Sequence, residues 1–346
     1  MFQWRKNVRK TISLALQGGG AHGAFVWGVL DRLLQDERLG IEAVSGTSSG
    51  AINAALLVDG MAADGPEGAR RHLARFWRRI SEESESRQRA WYSLIPIIRR
   101  RRFQWSSKNA FYTVMHRLLV PYDFDRESMD PLRQVIAEVI DFPRLHNSKD
   151  IKLFVNATDI CALKMRIFRK AEVTPDVLCA SSCLPFLFRP VKIGQRYYWD
   201  GGFMGNPALH PLVYRTTNQD ILLVQTSPID ISRPPETATE IIERMSAISF
   251  TATLMREIET IALQSGAIEE HGMKRLPRAQ RVHLHQIGPE TELENLGLKS
   301  KSKFYADWAF FERLRDLGRL KAELWLEQNF DKLGVTSTVD FQQLFV

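Results

Sequence analysis

The chain has 346 residues, 44% hydrophobic and 25% charged, with 47 Lys and Arg against 40 Asp and Glu. That composition excludes global disorder and gives enough chain for one large domain or two modest ones. A net charge of +7 is modest; it fits a basic solvated surface or an anionic membrane surface, and no nucleic-acid partner is expected. Cys161, Cys179 and Cys183 follow no metal-ligand spacing and read as reduced core thiols of a cytoplasmic protein. The apolar run after the basic N-terminus, Ile12 to Leu16, is too short for a signal peptide or a membrane span, and no later run approaches spanning length. The expected location is the cytoplasm, with peripheral contact to a membrane surface as an open alternative.

In chain order, Ile12–Leu16 reads as a buried strand stopped by Gly18-Gly19-Gly20. From Ala21 to about Glu37, Phe25, Val26, Val29, Leu30, Leu33 and Leu34 share one helical face. Ile41–Ser45 is a second short strand, and Ser49 to about Val58 a second helix. Strand, glycine turn, helix, strand opens a parallel α/β sheet. Gly60 to Gly68 reads as a polar break. The segment from about 66 to 147 is irregular, with a basic helical piece (Arg70, Arg71, Arg75, Arg78, Arg79). It also holds an aromatic and aliphatic run, Trp91 to Trp105, interrupted by Arg99 to Arg102. Such a run suits either a membrane-surface element or a packed cap with solvated arginines.

Beyond it, Lys152–Thr158 is expected as a strand and Pro175–Ala180 as a helix capped by Thr174. Val191–Ile193 and Arg196–Trp199 form a hairpin around Gly194-Gln195. Ile221–Val224 and Val282–Ile287 are further strands, and helices are expected over about Glu236–Glu270 and Phe304–Asn329.

Two glycine-flanked turns carry the chemistry. Gly46-Thr47-Ser48-Ser49-Gly50 joins a strand to a helix in the Gly-x-Ser-x-Gly pattern that lifts a serine oxygen into a site. Gly18, Gly20 and Gly23 match a dinucleotide-binding fingerprint, but the second strand ends in Ser45-Gly46, without the acidic residue that holds the ribose. The alternative is an oxyanion hole, in which loop amides and a helix N-terminus aim positive charge at one point. Turns after the first and second strands would lie side by side at the carboxyl edge of a parallel sheet. For the base, His271, His283 and His285 follow the serine, but Ser48 comes too early in the chain for the usual Ser-Asp-His hydrolase order. His283 and His285 alternate in an apolar strand pattern that suits structural histidines. The other candidate is Asp200, in Asp200-Gly201-Gly202 at a strand end; a partly desolvated carboxylate there can serve as the base.

The glycine loop Gln17 to Gly23, the elbow Gly46 to Gly50 and the late Asp200-Gly201-Gly202 together resemble the patatin-like phospholipases. So do the run Ala180-Ser181-Ser182-Cys183-Leu184-Pro185 and Gly205-Asn206-Pro207. The likeness covers about residues 11–227. A weaker one, through Arg244 to Phe250 and Gly318-Arg319, extends to a bacterial subgroup. The family's loop often carries Arg or Lys where this chain has His22.

The resemblance implies a three-layer α/β/α fold with a mainly parallel sheet. A catalytic domain over 11–227 would carry a helical cap insertion at about 66–147, followed by a mainly helical extension, 228–346, packed on it. It further implies a lipid acyl hydrolase with no metal and no cofactor. Ser48 would be the nucleophile and Asp200 the general base. Gly18, Gly19 and Gly20 would form the oxyanion hole, and Gly46, Gly50, Gly201 and Gly202 would support the motifs. The substrate would be a phospholipid or another fatty-acyl ester. The competing reading is a non-enzymatic membrane-surface or regulatory protein that uses residues 91–105.

Overall fold

In the computed structural model, residues 9–98, 129–185, 187–226, 234–265, 282–289 and 306–345 are described. The first apolar run is β1 (Lys10–Leu16), buried on both faces from Ile12 onward, as a central strand must be. A short 3-10 turn leads into α1 (Gly23–Leu33), then β2 (Leu39–Gly46) and α2 (Ser49–Ile98). Next come α3 (Asp130–Val139), α4 (Phe142–Asn147), β3 (Lys152–Asp159), β4 (Lys164–Arg169) and α5 (Pro175–Ser181). The hairpin is β5 (Val191–Ile193) with β6 (Arg196–Asp200), and α6 (His210–Arg215) and β7 (Asp220–Val224) follow. The chain closes with α7 (Ala238–Ser265), β8 (His283–Ile287), α8 (Trp308–Asn329) and α9 (Phe341–Phe345).

The strands form one eight-stranded sheet in the order β5-β6-β3-β2-β1-β7-β8, with β4 also paired to β3. From β3 through β2, β1 and β7 to β8 every neighbour is parallel; β4, β6 and β5 are antiparallel additions. Alternation along the central strands divides the core in two. Ile12, Leu14, Leu16, Leu222 and Val224 face α1, α2, α3, α5 and α8. Ala15, Ile221 and Leu223 face α6, α7 and α9. This is the three-layer α/β/α arrangement expected, and β8, from the C-terminal third, closes one edge of the sheet.

The register of β3 fixes the site. β4 runs along one edge of β3 from Phe154 to Asp159. The other edge is shared: β2 takes its first half and stops with Gly46 opposite Val155, while β6 comes from the other direction and stops with Asp200 opposite Ala157. Two strands thus meet end to end, carboxyl end to carboxyl end, with only Asn156 between their stopping points.

Three features differ from the sequence reading. The expected break at 60–68 is narrower: α2 runs on and kinks at Asp64–Gly65, where Gly65 takes φ 58°. The halves then fold against each other so closely that a Cβ on Gly68 would lie 2.3 Å from the Gly60 carbonyl oxygen. β4 was not anticipated, because Lys164, Arg166 and Arg169 disguise an edge strand as a polar loop. The arginines of α2 are occupied by acids: Arg70 by Asp31 at 2.8 Å, Arg71 by Asp64 at 2.7 Å and Arg79 by Glu138 at 2.9 Å. Arg99 to Arg102 lie outside the described residues, as does the rest of the stretch up to Trp105.

Candidate active site

Ser48 sits where β2 turns into α2, with φ 56°, a left-handed backbone that a non-glycine residue adopts at a cost. The turn is this sharp because its flanks cannot spread. A Cβ on Gly46 would lie 2.5 Å from the Gly50 carbonyl oxygen, and one on Gly50 would lie 2.2 Å from that of Leu16. The Ser48 amide donates to Ser181 Oγ at 2.9 Å, and the Thr47 hydroxyl donates to the Gly205 carbonyl at 2.9 Å. The strained residue is therefore held from both sides.

Asp200 ends β6 and is 1% exposed. Its Oδ1 accepts from the Gly202 amide at 2.7 Å. Burial pushes its pKa from 3.8 up to about 7, and the Gly202 amide and the neighbouring Ser48 hydroxyl only partly oppose the rise. A hydroxyl held against a carboxylate poised near neutrality can lose its proton to it, and the acid so formed can return the proton.

Asn156 pins this junction. Its Nδ2 donates to the carbonyls of Gly201 at 3.0 Å and Gly205 at 2.8 Å, and its Oδ1 lies against the Thr47 hydroxyl, the alternative acceptor to the Gly205 carbonyl for that one proton. Nothing in the sequence singled it out; its central place in β3 becomes visible only once β2 and β6 share that strand's edge.

The glycine loop lies directly against the elbow. A Cβ on Gly18 would come within 2.7 Å of Ser48 Cβ, and one on Gly23 within 2.7 Å of Ser49 Cβ. Gly20 takes φ 59°. Gly18 is buried and its amide donates to Asn206 Oδ1 at 2.7 Å; the half-buried Gly19 donates to Ser49 Oγ at 3.1 Å; Gly20 is exposed. Thr226 completes the anchorage, donating from Oγ1 to the Gly18 carbonyl at 2.8 Å and from its amide to Gln17 Oε1 at 2.8 Å. His22 is turned inward, its ring 6.4 Å from that of Phe310.

The C-terminal part also reaches the site. The Phe250 ring of α7 occupies the space over Gly202, 2.3 Å from where a Cβ would be, and packs tilted against Phe203 with ring centroids 4.7 Å apart. Gly318 gives α8 an equally close approach to α1: a Cβ there would lie 2.2 Å from the Phe25 carbonyl. Both belong to the stretches that resemble the bacterial subgroup.

The other candidates fall elsewhere. His283 and His285 contact Asp220, at the opposite edge of the sheet, at 3.3 and 3.0 Å. Burial alone would raise the Asp220 pKa; the hydrogen bonds from His285 and the Gly334 amide outweigh it and hold the carboxylate below its ordinary range. His271 lies outside the described residues. A cavity of about 490 Å³ at that opposite edge is lined by Lys10, Glu42 and Asp220, all engaged by protein groups. Cys179 and Cys183 are buried as expected, but Cys161 is exposed in the β3–β4 turn.

A profile of the patatin-like phospholipase family matches residues 14–213, from β1 through α6. The chain belongs to the patatin-like phospholipases. Membership makes it a lipid acyl hydrolase, an enzyme that cleaves carboxylic esters. Comparison with curated proteins finds no match. Among solved structures, VipD from Legionella pneumophila is similar over 92% of this chain and 67% of its own, at 14% identity and TM-score 0.45. The type III effector ExoU is similar over 92% and 53%, at 14% identity and TM-score 0.34. ExoU from Pseudomonas aeruginosa also appears in complex with SpcU. This patatin-like phospholipase has, among its described residues, no helix long and apolar enough to cross a membrane.

Proposed function

We propose that the chain hydrolyses fatty-acyl esters, phospholipids foremost, through a Ser48–Asp200 dyad and an acyl-enzyme. Asp200 takes the Ser48 proton as Oγ attacks the ester carbonyl, then gives it to the leaving alcohol. Water next attacks the acyl-Ser48 ester, again with Asp200 as base, and releases the fatty acid. The nearness of the Ser48 hydroxyl to a buried carboxylate whose pKa is raised to about 7 carries this reading.

The oxyanion is assigned to the glycine loop. Gly18, Gly19 and Gly20 were the expected donors, and the loop's position against Ser48 supports that assignment. Within it, the Gly18 amide is spent on Asn206 and fixes the loop, which leaves the more accessible Gly19 and Gly20 amides for the developing charge. Gly19 would exchange Ser49 Oγ for the oxyanion, a stronger acceptor.

The test is a panel of phospholipids, lysophospholipids and neutral acyl esters, incubated with wild type and with Ser48→Ala, with products identified by mass spectrometry. Fatty acid released by wild type alone supports the proposal. Equal release by both proteins would refute it.

A further inference from the structure

Among the described residues, Ile241, Met245, Ile248 and Leu163 are exposed large apolar side chains on elements that border the site, while Tyr214, Leu320, Leu324 and Val335 are exposed elsewhere. Leu254, Ile258, Ile261 and Ala262 of α7 are buried against the sheet, and Phe250 lies over Gly202 beside Asp200. Upstream of Phe250, no described side chain of α7 is buried. The helix therefore leaves the core at the site and projects past it, by up to about 14 Å from Phe250 to Ile241 at about 1.5 Å per residue. On this projecting part Ile241, Met245 and Ile248 are 44, 63 and 55% exposed, and their spacing puts them on one face. No fold-stabilising reason accounts for such a stripe, because apolar side chains on a helix face are ordinarily turned to the core.

A second projection rises from the same sheet edge. The β3–β4 turn and the β5–β6 hairpin both extend beyond the carboxyl end of β3. Arg196 lies about 14 Å from Asp200 along β6 at about 3.4 Å per residue. At the β3–β4 turn Leu163 is 82% exposed and takes φ 50°, so an apolar side chain is held out in water at a backbone cost. Asp159 orders this turn, its Oδ1 accepting from the amides of Cys161 and Ala162 at 3.1 and 3.0 Å. Lys164 on β4 and Lys192 and Arg196 on the β5–β6 hairpin are exposed, and Arg196 lies 3.8 Å from Asp159.

We propose that these two projections are the surface by which the enzyme docks on a bilayer bearing anionic phospholipid, with Met245, Ile248 and Leu163 entering the interface and Lys164, Lys192 and Arg196 meeting the head groups. An apolar stripe and an apolar tip, the tip accompanied by basic side chains of β4 and the β5–β6 hairpin, at the mouth of a site for acyl lipid, match that partner in polarity and, on the second projection, in charge. The inference deepens the acyl-hydrolase reading by naming aggregated phospholipid as the substrate form, and it is independent of residues 91–105.

The experiment uses the full chain carrying Ser48→Ala, so that vesicles stay intact, with flotation on phosphatidylcholine vesicles with and without phosphatidylserine. The parent should bind the anionic vesicles preferentially. Adding Met245→Asp with Ile248→Asp, or Leu163→Ser, should weaken binding to both vesicle types. Lys164→Glu with Arg196→Glu should weaken binding to the anionic vesicles by about tenfold or more. With Ser48 restored, the same substitutions should leave hydrolysis of a short-chain soluble ester unchanged while lowering hydrolysis of vesicle phospholipid; retention of soluble-ester activity also shows that each variant is folded. Undiminished vesicle binding by folded variants would overturn the proposal, as would a parent that binds neither vesicle. So would a shift from dimer to monomer on gel filtration with vesicle binding intact, which would make the stripe a contact between copies. Vesicle binding as expected together with no ester turnover by wild type would instead remove the hydrolase reading and leave the docking surface standing.

Discussion

Gly46 and Asp200 terminate two strands that run toward each other along one edge of β3, stopping opposite Val155 and Ala157. The serine elbow that follows Gly46 is thereby brought to the carboxylate, although the two are far apart in sequence. Asn156, between the stopping points, ties Thr47 to Gly201 and Gly205. Replacing it with Ala would remove both Nδ2 hydrogen bonds and the contact of Oδ1 with the Thr47 hydroxyl, although the Gly201 carbonyl still accepts from the Met204 and Gly205 amides and the Gly205 carbonyl still faces Thr47. Unfolding followed by denaturant should show a loss of about 2–4 kcal/mol, with ester hydrolysis reduced even at temperatures where the variant is folded.

The carboxyl environment predicts a pH profile. With Asp200 raised to about 7, kcat/KM for a neutral ester should climb tenfold per pH unit below pH 7 and level off above it. A flat profile between pH 5 and 8 would contradict the assignment of Asp200 as base.

The same shift has a stability consequence of defined sign. A carboxyl whose folded pKa exceeds its unfolded value holds its proton longer in the native state. Its contribution is complete below about pH 4 and is lost as pH rises toward about 7, the interval set by 3.8 and about 7. Above pH 7 the buried charge is a net cost. Asp200→Asn should therefore melt higher than wild type at pH 8, by about 2 °C or more, and the gap should close toward pH 4.

The cover over Asp200 gives a paired test. Gly202→Ala would drive a Cβ into the Phe250 ring and shift the turn that donates to Asp200, lowering kcat by roughly 100-fold, as misplacement of a catalytic group by about an ångström does. Phe250→Ala in the same protein removes the clash and should recover most of the loss. Failure of the double variant to recover would mean that Gly202 is needed for a reason other than the approach of α7.

His285 provides the contrast. It is buried against Asp220 at the far edge of the sheet, so His285→Gln should lower the melting temperature while leaving kcat within a few-fold of wild type. A collapse of kcat in a folded variant would revive a histidine triad.

Much of this was legible in the sequence because the decisive features are local. Ile12–Leu16 and Ile221–Val224 are apolar on both faces, which only central strands tolerate, and Gly46, Gly50 and Gly18 mark turns that admit no side chain. The burial of Asp200 was less legible, since an Asp-Gly-Gly is as good a surface turn as a site. β4 was missed because an edge strand pairs on one side and carries Lys164 and Arg166 outward, erasing the apolar signal. Asn156 and Phe250 were missed as site residues because their roles arise from contacts across the fold: one between strand ends, the other between a late helix and Gly202.

The measurement closest to the central claim is hydrolysis of a short-chain chromogenic ester by purified Ser48→Ala and Asp200→Asn, with circular dichroism confirming that both are folded. The account predicts that each loses activity by about 10⁴-fold or more, with no further loss when the two are combined. Full activity in either folded variant would contradict it.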